Sequence, residues 1–376
     1  MSNYHIFTGA TGFVGSAIIL ELLRSNPDAH VGAVVRPGSG AGGATERLHG
    51  TLRHAARLYG HGDELDAAIA ERCQARPGDL FEALCGIDPP SEWRGGELWH
   101  CAASLQYQDR HKEAIYRTNI QGTAHALALA QAIGARRFNH TSTAYVAGTR
   151  TGLQLETPVG EGCNHNHYER SKVLAESLAL DADLHVRVLR PSIVIGHSQT
   201  MAAINFNGLY GFLRGLVKFR GAMERAQASI SEHLQVRMRA DADGHLNFVP
   251  VDYVAQDAVA LSRNDAAPGV YHLSTQDPPS TGLTIDSCFD VVGLRRPSYV
   301  DDDGELTWLD RKFNERVDFY MSYFRGRKQF SRARTNAVVG NDHGGSFRMD
   351  RETLLRFMNW YVDLLLENRA TLPETQ

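Results

Sequence analysis

The sequence predicts an α/β fold: a doubly wound parallel sheet with a smaller, mainly helical C-terminal substrate lobe. Three observations predict it. The chain opens on a strand, a glycine turn, a helix and a second strand within residues 4–35. Strand-like and helix-like stretches then alternate as far as residue 196, the pattern of a parallel sheet covered on both faces. Beyond 196 the alternation gives way to helix and loop, with glycines at 208, 211, 215 and 221. Right-handed crossovers between parallel strands make such a sheet doubly wound.

Each element has a local reason. Residues 4–8 (YHIFT) form a short β-like run closed by Gly9, and residues 13–24 carry apolar side chains at 14, 18, 19, 22 and 23, a helical spacing. Asn26-Pro27-Asp28 breaks that helix, and 30–35 (HVGAVV) reads as the second strand. Residues 45–59 and 63–74 are helical, 98–102 (LWHCA) a strand, and 111–133 a long helix weakened near Gly122. Then come a strand at 137–141, a helix at 168–180 and a strand at 185–189 that ends at Arg190-Pro191. A helix at 252–263 and a strand at 269–273 resume the alternation, and amphipathic stretches at 309–324 and 351–366 close the chain. The run at 37–43 (PGSGAGG) reads as a flexible loop. The expected division is a cofactor-binding unit at 1–196, completed by 247–275, with a substrate lobe from 197–246 and 276–376.

Composition narrows the function classes. Of 376 residues, 43% are hydrophobic and 22% charged, enough apolar material for a sizeable core and too much for a disordered chain. Lys and Arg number 39 against 43 Asp and Glu, a net charge of −4. That balance leaves no electrostatic footprint for nucleic acid or an anionic membrane. The five cysteines are widely spaced with no C-x-x-C pair, which fits a reducing compartment and argues against structural zinc. No apolar stretch reaches the length of a membrane span, and residues 17–23 lack the flanks of a signal peptide. A cytoplasmic protein is expected.

Residues 9–15 (Gly9, Ala10, Thr11, Gly12, Phe13, Val14, Gly15) spell G-x-x-G-x-x-G between a strand and a helix. The first glycine permits the tight turn, the second lets a pyrophosphate approach the backbone, and the third lets helix and strand pack closely. The helix N-terminus favours the anion. An NAD site usually ends its second strand on an acid that binds the ribose 2′-OH. Here the strand ends at Arg36, with Arg47 beyond, and guanidinium groups suit a 2′-phosphate. NADPH is therefore the expected cofactor, with Asp79 in Gly78-Asp79-Leu80 a candidate for the adenine end.

Tyr168 and Lys172 form Y-x-x-x-K, one turn apart on one helix face. An ammonium beside a phenol is expected to lower its pKa and make it a usable proton donor or acceptor near neutral pH. The hydroxyl cluster Thr141-Ser142-Thr143 ends the preceding strand, where a hydroxyl can bind the same substrate oxygen as Tyr168.

In this order the motifs resemble the extended short-chain dehydrogenase/reductase superfamily, of Rossmann type. Within it they resemble the fatty acyl-CoA reductase and thioester reductase-domain branch. The phrases that carry the resemblance are TGATGFVGSAIILELLR (8–24), VVRPGSGAGGATERL (34–48), WHCAAS (99–104), TNIQGTAHALALA (118–130), FNHTSTAYVAG (138–148), HYERSKVLAE (167–176), LRPSIVIG (189–196) and FVPVDYVAQDAV (248–259). The resemblance implies Thr143 as the catalytic hydroxyl, Tyr168 as the general acid and Lys172 as its partner. It implies Arg36 and Arg47 at the 2′-phosphate, Ala102 and Ala103 along the cofactor, and Pro191, Ser192, Ile193 and Val194 at the nicotinamide end. Asn119, on the helix facing the active-site helix, would be structural or support Lys172.

The implied reaction is NADPH-dependent reduction of an acyl thioester to the aldehyde, with a second reduction to the alcohol open. The thioester would come from acyl-CoA or a carrier protein, delivered in trans. Two alternatives stand: another member of the superfamily acting on a ketone, hydroxysteroid or nucleotide sugar, and a non-catalytic NADP-sensing regulator, against which the Tyr/Lys pair counts. Residues 280–376 show no clear match to the longer C-terminal region of the eukaryotic reductases. Plainer readings apply elsewhere. Residues 163–167 (CNHNH) read as an active-site loop rather than a metal site, and 206–219 as the packing surface of the lobe rather than an acyl channel or a membrane-facing patch. Trp308, Phe319, Tyr320, Tyr323 and Phe324 are spaced as helix core, with an acyl pocket as the alternative.

Overall fold

The computed structural model describes residues 3–37, 43–226, 234–317, 320, 322–341 and 343–371. A seven-stranded sheet forms its centre, built from β1 (Tyr4–Thr8), β2 (His30–Val35), β3 (Cys73–Pro77), β4 (Glu97–His100), β5 (Arg137–Thr141), β7 (Val186–Pro191) and β11 (Gly269–Leu273). Their order is β3-β2-β1-β4-β5-β7-β11 and every pairing is parallel. The strand order reverses between β1 and β4, and the crevice at the carboxyl ends of those strands is where such sheets take ligands.

Sequence patterning explains the layers. Helix α1 (Phe13–Ser25) is apolar on most sides, with Gly15–Leu23 largely buried, because it packs against both the sheet and α8 (Val251–Arg263). Helices α2 (Ala44–Leu58) and α3 (Gly62–Arg72) pack together and lead into β3. On the other side, α4 (Lys112–Tyr116) runs through a π turn at Arg117–Gln121 into α5 (Gly122–Ala132), which packs on α6 (His167–Leu180). The expected weakening of the long helix near Gly122 is therefore a wider turn rather than a break. Phe7 and Trp99 stack at 5.7 Å inside the core.

One expected boundary fails. The helix predicted over 63–74 ends at Arg72, and Cys73 begins β3. This strand sits at the sheet edge with most of its side chains exposed, so its sequence (CQARP) lacks the apolar run that marks buried parallel strands. The loop predicted at 37–43 falls largely outside the described residues.

A second apolar cluster forms the lobe. Helix α7 (Leu209–Ala226), α9 (Thr281–Val292) and α12 (Arg351–Thr371) bury Leu213, Leu216, Ile285, Phe289, Phe357 and Met358 against one another. Short parallel strand pairs pin this region down: β8 (Ile193–Ile195) with β10 (Phe248–Pro250), β9 (Arg237–Arg239) with β12 (Ser298–Val300), and β6 (Gly152–Gln154) with β13 (Lys328–Phe330). Helix α10 (Trp308–Arg316) carries Trp308 73% exposed, so that residue is not the core position its spacing suggests. Phe319 lies outside the described residues. α11 (Ala333–Val339) returns to α8 through the fully buried ion pair Arg332–Asp257 at 2.9 Å. Among the described residues no helix is long and apolar enough to cross a membrane.

Candidate active site

The glycine turn is built as its spacing requires. Gly9 has φ +75°, and a Cβ there would stand 2.4 Å from the Ala102 nitrogen. A Cβ on Gly15 would stand 2.3 Å from the Gly9 carbonyl oxygen, so both positions require glycine for packing. Gly12 differs: it is exposed, and a Cβ would meet only the Gly9 oxygen at 3.1 Å. Its exposure leaves the α1 N-terminus open to a ligand. This cradle fits a dinucleotide pyrophosphate.

Gly12, Phe13, Val14 and Gly15 line one end of a cavity of about 380 Å³. Thr143, Tyr168 and Lys172 line it as well, together with Ala103 and residues Pro191, Ser192, Ile193 and Val194. Twelve of the expected site residues thus converge on one space. Gly9, Thr11, Ala102, Asn119, Arg36, Arg47, Asp79 and Leu80 do not line it. Gly9 and Ala102 form the backbone contact beneath it. Arg36 follows β2 and is exposed, and Arg47 donates from Nη1 to the Arg36 carbonyl oxygen at 2.9 Å, so the two guanidinium-bearing residues are neighbours. Asp79 Oδ1 accepts from the Phe81 N–H at 2.9 Å, an Asx turn past the end of β3, and the Leu80 carbonyl bonds the His125 ring at 2.7 Å. Asn119 is a clamp: its Oδ1 accepts from the Ser104 N–H at 2.7 Å and its Nδ2 donates to Ser171 Oγ at 2.8 Å. It thereby ties the loop after β4 to α6.

The three polar groups at the centre have distinct partners. Thr143 is buried at the end of the β5 segment and caps the following turn, Oγ1 accepting from the Tyr145 N–H at 3.2 Å. An accepting hydroxyl keeps its own hydrogen free to donate into the cavity. Lys172 is buried and donates from Nζ to the Thr141 carbonyl oxygen at 2.7 Å. Burial lowers its pKa to about 8 against the opposing pull of Glu176 and Cys101. Tyr168 faces the cavity, and burial, reinforced by the neighbouring Glu169 carboxylate, pushes its phenol well above the ordinary value. The expectation that Lys172 lowers that pKa is corrected here. The ammonium is committed to a carbonyl, and burial outweighs it, so Tyr168 stays protonated as a hydrogen-bond donor.

The far wall comes from residues that also pack the core of the lobe. Leu209 and Phe212, from the run read as packing surface, line the cavity, as do Tyr320, Tyr323 and Phe324. Leu105, Tyr107, Leu246 and Phe248 join them, none of them singled out by sequence. Among the described lining residues Lys172 carries the only full charge. The CNHNH segment supplies structure: Asn166 caps α6, its Oδ1 accepting from the Glu169 N–H at 2.9 Å, and His167 Nδ1 meets the Tyr116 hydroxyl at 3.2 Å.

Residues 7–258 match the family model described as male sterility protein, an NAD-binding family. The chain belongs to this family. It lies within the extended short-chain dehydrogenase/reductases, as its sheet and motif order imply. An aldehyde reductase, lnaA, of Aspergillus flavus is 30% identical over 302 residues, 74% of this chain but 26% of that protein. Fatty acyl-CoA reductase 1 of Gallus gallus is 27% identical over 295 residues, 68% of this chain and 54% of that one. The chain thus spans about a quarter to a half of the length of these relatives. Among solved structures, a thiolation-reductase di-domain from an archaeal non-ribosomal peptide synthetase superposes with a TM-score of 0.74 at 19% identity, covering 97% of this chain and 76% of that one, a likeness of fold.

Proposed function

We propose that the protein is an NADPH-dependent reductase of acyl thioesters whose acyl group is uncharged and apolar. One observation carries the reading: a single cavity joins the dinucleotide cradle at Gly12–Gly15 to Thr143, Tyr168 and Lys172, and continues between apolar walls. The related reductases, one of them acting on a fatty acyl-CoA by its name, support the reaction class. The neighbouring thiolation-reductase di-domain supports delivery of the acyl group by a carrier protein, with acyl-CoA as the other source. The Arg36–Arg47 pair supports NADPH over NADH, because both guanidinium groups stand exposed where the second strand would present the adenosine ribose. On this reading 1–196 and 247–275 hold the cofactor and the remainder the acyl group.

The bound dinucleotide would supply the hydride. The protein's own residues would position and charge-balance its acceptor. Tyr168 and Thr143 donate to the thioester carbonyl oxygen, and preorganised donors of this kind stabilise the charge that develops there. As the carbon gains hydride the oxygen takes a proton from Tyr168, giving a hemithioacetal. Lys172, protonated below about pH 8, lies one helical turn away and favours that proton transfer electrostatically. Collapse of the hemithioacetal breaks the C–S bond and releases thiol and aldehyde.

The apolar walls make a specific demand. Away from Lys172 at the catalytic centre, a carboxylate or ammonium on the acyl group would meet no counter-charge among the described lining residues, and desolvating an unpaired charge is costly. Straight-chain uncharged acyl thioesters are expected to exceed ω-carboxyacyl and α-aminoacyl thioesters of equal length in kcat/KM by at least about 100-fold, equivalent to ~3 kcal/mol. Steady-state NADPH oxidation across the series measures it. Equal rates for charged and uncharged members would refute the substrate class.

A further inference from the structure

The cavity opens beside a group of polar side chains that the mechanism leaves unused. Apart from Gly12 at the cofactor end, the exposed residues among those that line the cavity are Leu105 and Asn207. The way in from solvent therefore passes the start of α7. Asn205 and Asn207 both line it, and Asn207 Nδ2 donates to Asn205 Oδ1 at 2.6 Å. That pairing leaves the Asn205 N–H donors and the Asn207 carbonyl oxygen unspent.

Arg214 stands just outside. It is exposed, and its side chain runs back toward the N-terminus of α7, as helical side chains do. There Nη2 donates to the Phe206 carbonyl oxygen at 2.8 Å. Phe206 lies between the two lining asparagines, so the guanidinium is fixed at the rim with most of its five N–H donors unspent. The hydroxyl of Tyr320, another lining residue, rests on the same helix, where a Cβ added to Gly211 would collide with it. Among the described residues no carboxylate pairs with Arg214, and no Asp or Glu occurs from residue 184 to residue 223.

We propose that Arg214 binds the phosphate at the end of the pantetheine arm that carries the acyl thioester, with the Asn205–Asn207 pair receiving the arm's amides. The inference rests on the thioester reduction proposed above and names what recognises the carrier half of the substrate. A pantetheine arm places two amides between its sulfur and a phosphate ester. The protein offers matching groups in that order: Tyr168 and Thr143 at the thioester, side-chain amides at the opening, and a guanidinium beyond them. A guanidinium pairs with phosphate through parallel, charge-assisted hydrogen bonds. A phosphate ends the arm in acyl-CoA and on a carrier protein alike, so Arg214 reads a feature common to both.

The test compares arms with and without the phosphate in the parent protein and in Arg214→Gln. Arg214→Lys and Lys218→Gln stand beside it, Lys218 being an exposed cation one turn farther along α7. In the parent protein, KM for an acyl 4′-phosphopantetheine should lie about ten-fold below that for the acyl pantetheine, the worth of one charge-assisted contact. R214Q should erase the difference by raising only the phosphorylated KM, with kcat unchanged. R214K should restore part of it and K218Q should keep it whole. A merely structural role at Phe206 would raise both KM values together and overturn the proposal. A phosphate advantage that survives in R214Q, or an equal loss in K218Q, would overturn it as well. Acyl-CoA and acyl-carrier protein, run in parallel, distinguish the two sources: KM should rise about ten-fold in R214Q for the one the protein uses, and unchanged values for both would contradict the assignment. One readout is free of turnover. Calorimetry of free 4′-phosphopantetheine and pantetheine, on protein saturated with NADP⁺ so that the cofactor's own phosphate sites are filled, makes the same comparison. If the parent protein reduces no thioester, the reaction proposed above fails. The calorimetry still decides Arg214: 4′-phosphopantetheine bound more tightly by the parent protein than by R214Q upholds it, and equal binding refutes it.

Discussion

Replacing Tyr168 by phenylalanine is expected to lower kcat about 10²–10⁴-fold, the range a positioned general acid contributes, while NADPH affinity changes less than two-fold. The phenol is the group whose environment keeps it protonated and whose position faces the cavity. Removing one oxygen leaves the apolar ring to pack as before. Residual activity would come from Thr143, whose hydroxyl hydrogen is free because its oxygen already accepts from the Tyr145 N–H. Single-turnover rates with saturating NADPH measure the effect, and a Tyr168→Phe variant with undiminished turnover would remove Tyr168 from the mechanism.

The glycine turn makes the second large prediction, because its glycines do different work. Gly12→Ala adds an exposed methyl group whose one close neighbour is the Gly9 carbonyl oxygen at 3.1 Å, in the space a pyrophosphate needs. NADPH affinity should fall at least about ten-fold, the 1–3 kcal/mol typical of overpacking, with a smaller loss of Tm than at Gly9. Gly9→Ala places a Cβ 2.4 Å from backbone and at φ +75°, so it should lower Tm by several degrees as well. Fluorescence titration with NADPH and thermal melts of both variants separate the two roles. An equal loss of Tm in both would contradict the assignment of Gly12 to the ligand.

How much of this was legible follows from where the signals lie. The strand–turn–helix at the N-terminus and the Tyr168/Lys172 helix are local patterns, and the structure keeps both within a residue or two. β3 was not legible because an edge strand is buried on too little of its surface to need an apolar run. The cavity wall was not legible for a different reason. Phe212, Phe248 and Tyr323 are aromatic residues at core-like spacing, and whether such a ring meets another side chain or an open space depends on segments far along the chain. Trp308 has the same spacing and faces solvent. The acidity of Tyr168 was misread because i, i+4 spacing reports only Lys172. The opposing influences are burial and the Glu169 carboxylate, and the burial depends on residues far along the chain.

Thiol release coupled to NADPH oxidation tests the central claim most directly. The protein is mixed with NADPH and an uncharged acyl thioester, on CoA or on a carrier protein, and free thiol is titrated as absorbance at the nicotinamide band falls. The expected result is thiol in fixed proportion to NADPH consumed, equimolar for an aldehyde product and half for an alcohol, with NADH a poorer donor. NADPH oxidation with a ketone or nucleotide sugar, and no thiol from any acyl thioester, would contradict the account.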